Sequence, residues 1–204
     1  MPSLVELDRP KAESADTRCL ILQVAERLFR EIGYRKTTVA DIARSLRMSP
    51  ANVYRFFDSK GSINEAVAER LIGELEAELM AIVEGPGTAA DRLARFLAAT
   101  HELTTSRFTA ARRMHEMVEV AMAESWQVVS DHIQHMNVMI ARLVADGVAS
   151  GEFDVADPAV AARCVHTSFV RFCHPALIVQ CADEPGPTVE EITAFILRGL
   201  GHRG

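Results

Sequence analysis

The side chains best suited to chemistry in this chain crowd into residues 37–60, where Asn52, Tyr54 and Arg55 fall within four positions of one another in an aromatic and basic segment. An asparagine amide can pair bidentately with adenine and a guanidinium with guanine, while a tyrosine hydroxyl can reach a phosphate oxygen. Such chemistry needs a short helix offered to a groove, and the flanking residues supply one. Thr38 followed by Asp41 has the form of a capping box, after which Val39, Ile42, Ala43 and Leu46 share one helical face. Arg47 and Met48 make the turn. Ser49 is a good N-cap and Pro50 fits the first position of a second helix, predicted to run to about Phe57. Val53 and Phe57 then face inward, leaving Ala51, Asn52, Tyr54, Arg55 and Phe56 on the exposed sides. Two helices joined in this way have the form of a helix-turn-helix, whose second helix enters the DNA major groove. Taken alone, the same residues also suit the solvated face of an ordinary helical hairpin.

The order of residues around the hairpin separates these readings. The run G-Y-x-x-T-T-V-x-D-I-A at Gly33 to Ala43, followed by M-S-x-A-N-V-Y-R-F-F-x-S-K at Met48 to Lys60, closely resembles the DNA-binding domain of the TetR family of bacterial transcription regulators. The resemblance covers roughly residues 17 to 65. It implies phosphate anchors at Thr37 or Thr38, Tyr54 and Lys60, with Ala51, Asn52 and Arg55 near base edges. Arg47 stands where the family usually has a turn glycine, so it must tolerate the turn's backbone geometry and could add a phosphate contact. Phe56 replaces a common His or Tyr, exchanging a polar contact for a possible thymine-methyl contact. With the capping Ser49, the candidate DNA-binding set is Thr37, Thr38, Arg47, Ser49, Ala51, Asn52, Tyr54, Arg55, Phe56 and Lys60.

The charge distribution agrees with a nucleic-acid surface at one end. The chain carries a formal net charge of −6, yet residues 17 to 60 hold nine basic against four acidic residues. Residues 61 to 204 hold eleven against twenty, so the positive potential is concentrated in the helix-turn-helix segment. With 204 residues and 49% hydrophobic composition, the chain can bury a sizeable core. No apolar run approaches the roughly 18 residues of a membrane span, and the start MPSLVELDRP lacks the regions of a signal peptide. A cytoplasmic protein with no membrane partner is expected. Cys19, Cys164, Cys173 and Cys181 form no CxxC pair and are expected to be free, buried thiols.

Helical periodicity fills the remainder, and an all-α fold of about nine helices is expected, with no convincing strand. Residues 1–16 lack periodicity and are expected to form a disordered arm, with Asp16 or Thr17 capping a first helix that Gly33 ends. The divisions expected are the arm at 1–16, the DNA-binding domain at 17–62 and a regulatory and dimerisation domain at 63–204. A long helix is predicted from about Lys60 to Val83, stopped by Gly85-Pro86-Gly87, and the resemblance makes it the rod connecting the two domains. Further helices follow from Thr88 to about Thr105, around Thr109 to Met117, and from Glu119 to about Ser150. Asp157-Pro158 opens another, kinked by Pro175 and running to about Ala182, and Thr188 caps the last.

The resemblance implies a homodimer built from the last two long helices, with Ala161, Val165, Phe172, Ala176, Val179, Ile192, Phe195 and Ile196 as candidate interface residues. Burial within one chain would produce the same pattern. The resemblance, more than the composition, implies a ligand pocket among Phe96, Thr100, Leu103, Met114, Met117, Val118, Met122, Trp126, Met136, Met139 and Phe169; methionine surfaces adapt to apolar ligands, but core packing explains each residue as well. The function expected is a ligand-responsive regulator, most simply a homodimeric repressor on a palindromic double-stranded DNA operator, released by a largely apolar small molecule. A helical small-molecule binder without DNA function and a metal or thiol sensor are the alternatives. His115 and Glu119 have the spacing of two helical metal ligands, but isolated polar or capping histidines are the better explanation, and no metal or other cofactor is expected. No HExxH, phosphate loop or nucleophile elbow is present, and Cys173 with His174 makes a poor dyad, so no catalytic residue is assigned.

Overall fold

Capping chemistry sets most helix boundaries in the computed structural model, which describes residues 9–109, 117–120, 123 and 126–202. The first helix, α1, spans Arg9–Ile32, so it begins within the segment expected to be a disordered arm. Lys11, Ala12, Glu13 and Ala15 are good helix formers, and that propensity carries the helix past the cap expected at Asp16 or Thr17. Gly33 ends it with φ 93°, a conformation glycine adopts without a Cβ penalty. Helix α2 is Val39–Ser45 and α3 is Pro50–Tyr54. Thr38 and Asp41 close the capping box of α2, and Ser49 accepts the N–H of Asn52 at the start of α3. Helix α3 is shorter than expected, its last turn loosening from Arg55.

Arg47 sits between α2 and α3 at φ 55°, in the left-handed region where a side chain is disfavoured. Its position follows from the tight geometry that lets Val53 of α3 reach the same core as Val39 and Ile42. Arg47→Gly should therefore stabilise the fold by about 1 kcal/mol. A shift of the urea midpoint upward checks this, and an unchanged midpoint would show that the arginine is not strained.

Helix α4, Lys60–Val83, is the long rod, and Ile63, Val67, Leu71, Leu75 and Leu79 bury its inner stripe. Helix α5, Ala89–Thr104, is capped by Thr88, and the Glu152 carboxylate also accepts from the N–H groups of Ala89 and Ala90. Its end widens into a π-helical turn at Thr105–Thr109. Helix α6 is Trp126–Ser150, ended by Gly151, and α7 is Pro158–Cys173 with Asp157 as its N-cap. The helix expected to continue through a kink at Pro175 is broken outright: α8 is a separate helix, Pro175–Gln180. Proline disfavours the helical backbone of the residue before it, and His174 is extended at φ −91°, ψ 118°. The last helix, α9, is Val189–Gly199, opened by a Thr188–Glu191 capping box.

Among the described residues there are nine α-helices with defined bounds and one π-helical turn, residues 117–120 are also helical, and there is no strand. Helices α1 to α3 pack around Phe29, Ile42 and Val53, and α4 to α7 pack around Leu79, Phe96, Leu143 and Phe169. The helix expected at about 109–117 falls largely outside the described residues, as do His115, Met114, Met122 and the side chain of Trp126. Among the described residues, no helix is long and apolar enough to cross a membrane.

Candidate nucleic-acid interface and regulatory cavity

The outer surface of α3 carries Ala51, Tyr54 and Arg55, all exposed, beside Ser49 at its start and Arg47 on the preceding turn. Tyr54 remains half exposed, at 51% of its full surface, although it follows the buried Val53. Asn52 is half-buried, its amide resting against the Met48 sulfur at 3.9 Å. Thr38 is exposed at the start of α2, where its hydroxyl donates to Asp41 at 2.6 Å, and these bonds hold the Asp41 carboxyl below the usual range. Tyr54 and Arg55 thus lie exposed at the end of α3, where hydroxyl and guanidinium groups can reach phosphate oxygens or base edges, while the Asn52 amide is turned toward Met48.

Three residues of the expected set are turned inward. Thr37 is fully buried, its hydroxyl donating to the Gly33 carbonyl at 2.8 Å, so its side chain secures the α1–α2 loop instead of reaching phosphate. Lys60 donates to the carbonyls of Tyr34 and Thr37 at 3.0 and 3.1 Å, with its ammonium 4.3 Å from the centre of the Tyr34 ring. It clasps the loop before α2 onto the start of α4. Phe56 is half-buried and packs on the core. Each carries a residue type that suits DNA equally well, so only the fold distinguishes the roles. On α1, Arg18 lies over the Phe57 ring at 4.8 Å, while Arg27 and Arg30 pair with Glu31 and Glu26. Lys36 and Arg44 are exposed on the same motif and were not among the expected contacts; their basic charge beside the capping box was the available signal.

Helix α4 joins this unit to the rest of the chain. Arg70 of α4 pairs with Glu26 of α1, and Asn64 of α4 donates to the Met117 carbonyl at 3.4 Å. Further along, Ala68, Ile72 and Leu75 of α4 form one wall of a cavity of about 140 Å³. Met117, Val118 and Met136, expected to line a pocket, do so. The other described candidates do not. Phe96, Thr100, Met139 and Phe169 are core residues, with the Thr100 hydroxyl satisfied by the Phe96 carbonyl at 2.7 Å, and Leu103 packs on that core away from the cavity. A buried apolar residue fills a core or borders a void with the same sequence pattern, which is why α4 and the histidines of the wall went unrecognised.

The wall also holds Phe108, Val129, His132, His166, Cys173 and His174. Burial pushes the Cys173 thiol up to about 12, which keeps it protonated and unreactive at neutral pH. Burial likewise holds His166 and His174 below the usual imidazole range, with the neighbouring His132 adding to the effect at His166. Outside the cavity, the Glu76 carboxylate of α4 accepts from His132 at 2.7 Å and His135 at 2.9 Å of α6. Desolvation pushes that carboxyl up, but the two histidine bonds outweigh it and its pKa is lowered. Among the described residues no group of three His, Cys, Asp or Glu side chains is suited to a metal ion. The four cysteines are free, but Cys19 and Cys164 are exposed and Cys173 and Cys181 half-buried, contrary to the buried thiols expected. A small thiol contributes little to an apolar stripe, so a helix can carry it outside.

The expected dimer residues also divide. Val165, Phe172 and Ile196 are buried in the chain's own core, and Ala161, Ala176 and Ile192 are half-buried. Only Val179 and Phe195 are exposed, at 46% and 62%. A groove between α7 and α9 is bordered by the expected Ala161, Val165, Phe195 and Ile196 together with Val160 and Cys164. The strongest apolar stripe of each helix faces inward because the chain's own core claims it first.

A helix-turn-helix presented by a three-helix unit, held on a larger helical body with an internal cavity, defines a DNA-binding transcription regulator. Residues 21–67 match the family described as bacterial regulatory proteins, tetR family, and residues 89–192 match the tetracyclin repressor-like C-terminal domain. The chain belongs to the TetR family. An uncharacterized HTH-type transcriptional regulator of Bacillus subtilis, YhgD, is 23% identical over 193 residues, covering 92% of this chain and 98% of the relative. A TetR/AcrR-family regulator from Thermobifida fusca has the same architecture, with 26% identity and a TM-score of 0.64 over 90% of this chain and 98% of that one. The fold is shared with RolR, solved with resorcinol, at 18% identity and a TM-score of 0.63 over 95% of this chain and 91% of that one.

Proposed function

We propose that the chain is a homodimeric repressor that binds a palindromic operator through α3 and is released when a small molecule occupies the cavity. The cytoplasm is its site of action, residues 17–62 read DNA, and residues 63–204 bind effector and dimerise. The observation that carries this reading is the double role of α4. Its Ala68, Ile72 and Leu75 border the cavity, while its N-terminal Lys60 clasps the helix-turn-helix loop and its Arg70 grips α1. Pressure on the cavity wall is therefore transmitted to α3 through a continuous helix. In a dimer, a shift of that helix changes the spacing of two recognition helices against successive major grooves, which is a population shift between binding and non-binding forms. RolR, with its bound resorcinol, is a precedent for a ligand in this fold.

Selection of genomic fragments by the purified protein at two salt concentrations tests the DNA reading. An enriched palindrome, losing affinity steeply with salt, is expected. No enrichment by a folded dimer, with and without candidate effectors, would reject it.

Dimerisation is supported by Phe195 and Val160, large apolar side chains left exposed on neighbouring helices. Phe195→Glu is expected to shift the protein to monomer in sedimentation and to weaken operator binding at least tenfold, because two half-sites no longer act together. A variant that stays dimeric would move the interface elsewhere.

A further inference from the structure

The cavity beside α4 is largely apolar, yet three imidazoles, His132, His166 and His174, border it, and their bonds determine what each leaves for a ligand. Asn137 donates from Nδ2 to the Ile133 carbonyl at 2.9 Å, which orients its amide and turns Oδ1 toward His166 Nδ1 at 3.3 Å. An amide oxygen only accepts, so the proton of neutral His166 sits on Nδ1 and its Nε2 is an open acceptor. Glu76 holds His132 in the same way, through Nδ1 at 2.7 Å. His174 differs because the break before Pro175 fixes it between two helices. It caps α8 without a side-chain cap bond, and among the described residues its buried Nδ1 has no hydrogen-bond partner beyond its own backbone. Buried polar atoms are normally satisfied, so an imidazole with a ring nitrogen to spare beside a cavity offers a ligand a hydrogen bond.

Size narrows the ligand further. A volume of about 140 Å³ is close to that of an apolar cavity known to admit benzene, so this one accommodates a single ring. Desolvation keeps His166 and His174 neutral, which favours an uncharged partner. A phenolic hydroxyl, with a pKa of roughly 10 like that of tyrosine, stays neutral at pH 7 and donates a hydrogen bond. A hydrocarbon ring of the same shape fills the space but leaves the imidazole nitrogens bare. An organic cation finds one aromatic face, Phe108, among the described wall residues.

We propose that the effector is a single-ring phenol, its ring held among Ile72, Val129 and Met136 and its hydroxyl donating to an imidazole nitrogen of His166 or His174. The proposal rests on the cavity being the effector site. Calorimetry on the full chain with 4-methylphenol, p-xylene and tetramethylammonium tests it, since the first two differ only by hydroxyl for methyl. At least tenfold tighter binding of 4-methylphenol than of p-xylene is expected, with tetramethylammonium weaker than both. The preference should narrow to within about twofold in His166→Phe combined with His174→Leu. Equal affinity for the two rings in the unaltered chain, tighter binding of the cation, or an undiminished preference in a folded double variant would overturn it. Operator binding measured with the same probes separates the two readings. A phenol preference without any change in DNA affinity leaves the ligand class standing and rejects the regulatory role of the cavity. Release of DNA by a cavity ligand, with no preference for phenol, rejects the ligand class alone.

Discussion

Arg55→Ala is expected to lower affinity for the specific operator by roughly tenfold to a hundredfold, while affinity for random DNA falls much less. Arg55 is exposed at the end of α3, beside Tyr54 and on the face opposite the buried Val53. A guanidinium there can meet guanine O6 and N7 together, and such a bidentate pair is worth about 1–3 kcal/mol of discrimination against a wrong base. The loss should therefore be concentrated at one position of each half-site, which fluorescence anisotropy on operators altered one base pair at a time would reveal. Tyr54→Phe provides the contrast, because loss of a phosphate contact weakens all sequences alike. If Arg55→Ala reduced specific and random binding by the same factor, Arg55 would be a phosphate contact and base reading would fall to Asn52.

The second large effect concerns the body that supports the cavity. Gly147→Ala should destabilise the fold by about 3 kcal/mol, at the upper end of what forced overpacking costs. A Cβ at this position would lie 2.1 Å from a ring carbon of the buried Phe153. The ring cannot withdraw easily, since the N–H groups of Glu152 and Phe153 both donate to the Gly147 carbonyl, at 2.8 and 3.0 Å. The adjoining Glu152 carboxylate caps α5, so displacing this turn also weakens that helix's start. Urea unfolding measures the loss. Phe153→Ala alone leaves a cavity, but combined with Gly147→Ala it removes the clash, so the double variant should be markedly more stable than the sum of the single effects predicts. Strict additivity would show that the close approach is not the source of the loss.

Local chemistry was largely legible in the sequence. The caps at Thr38, Ser49, Thr88, Asp157 and Thr188, the stop at Gly33 and the left-handed strain at Arg47 involve residues only a few positions apart, where sequence distance is spatial distance. The rod from Lys60 to Val83 was legible for the same reason, its apolar stripe being periodic and its ends marked by a serine cap and a Gly-Pro-Gly break. The break before Pro175 was underestimated, because whether a proline kinks or divides a helix depends on what neighbouring helices hold in place.

The roles of long and amphipathic side chains were decided by tertiary structure. Lys60 has a flexible stem that could carry its charge outward to phosphate, and only the arrival of the Tyr34 and Thr37 carbonyls beside α4 gives that charge an inward destination. Thr37 and Thr38 are neighbours with the same side chain, yet one bonds within a buried loop and the other caps an exposed helix. Phe96, Met139 and Met136 share an apolar character, but only Met136 borders the void, because a cavity belongs to the space between helices and leaves no mark on the periodicity of any one of them. By itself the sequence determined the all-helical class, the family and the position of the recognition helix, since each is written in short-range patterns. Which side chains face a ligand, clasp a loop or remain exposed depends on contacts between residues dozens of positions apart, and those contacts exist only once the helices have packed.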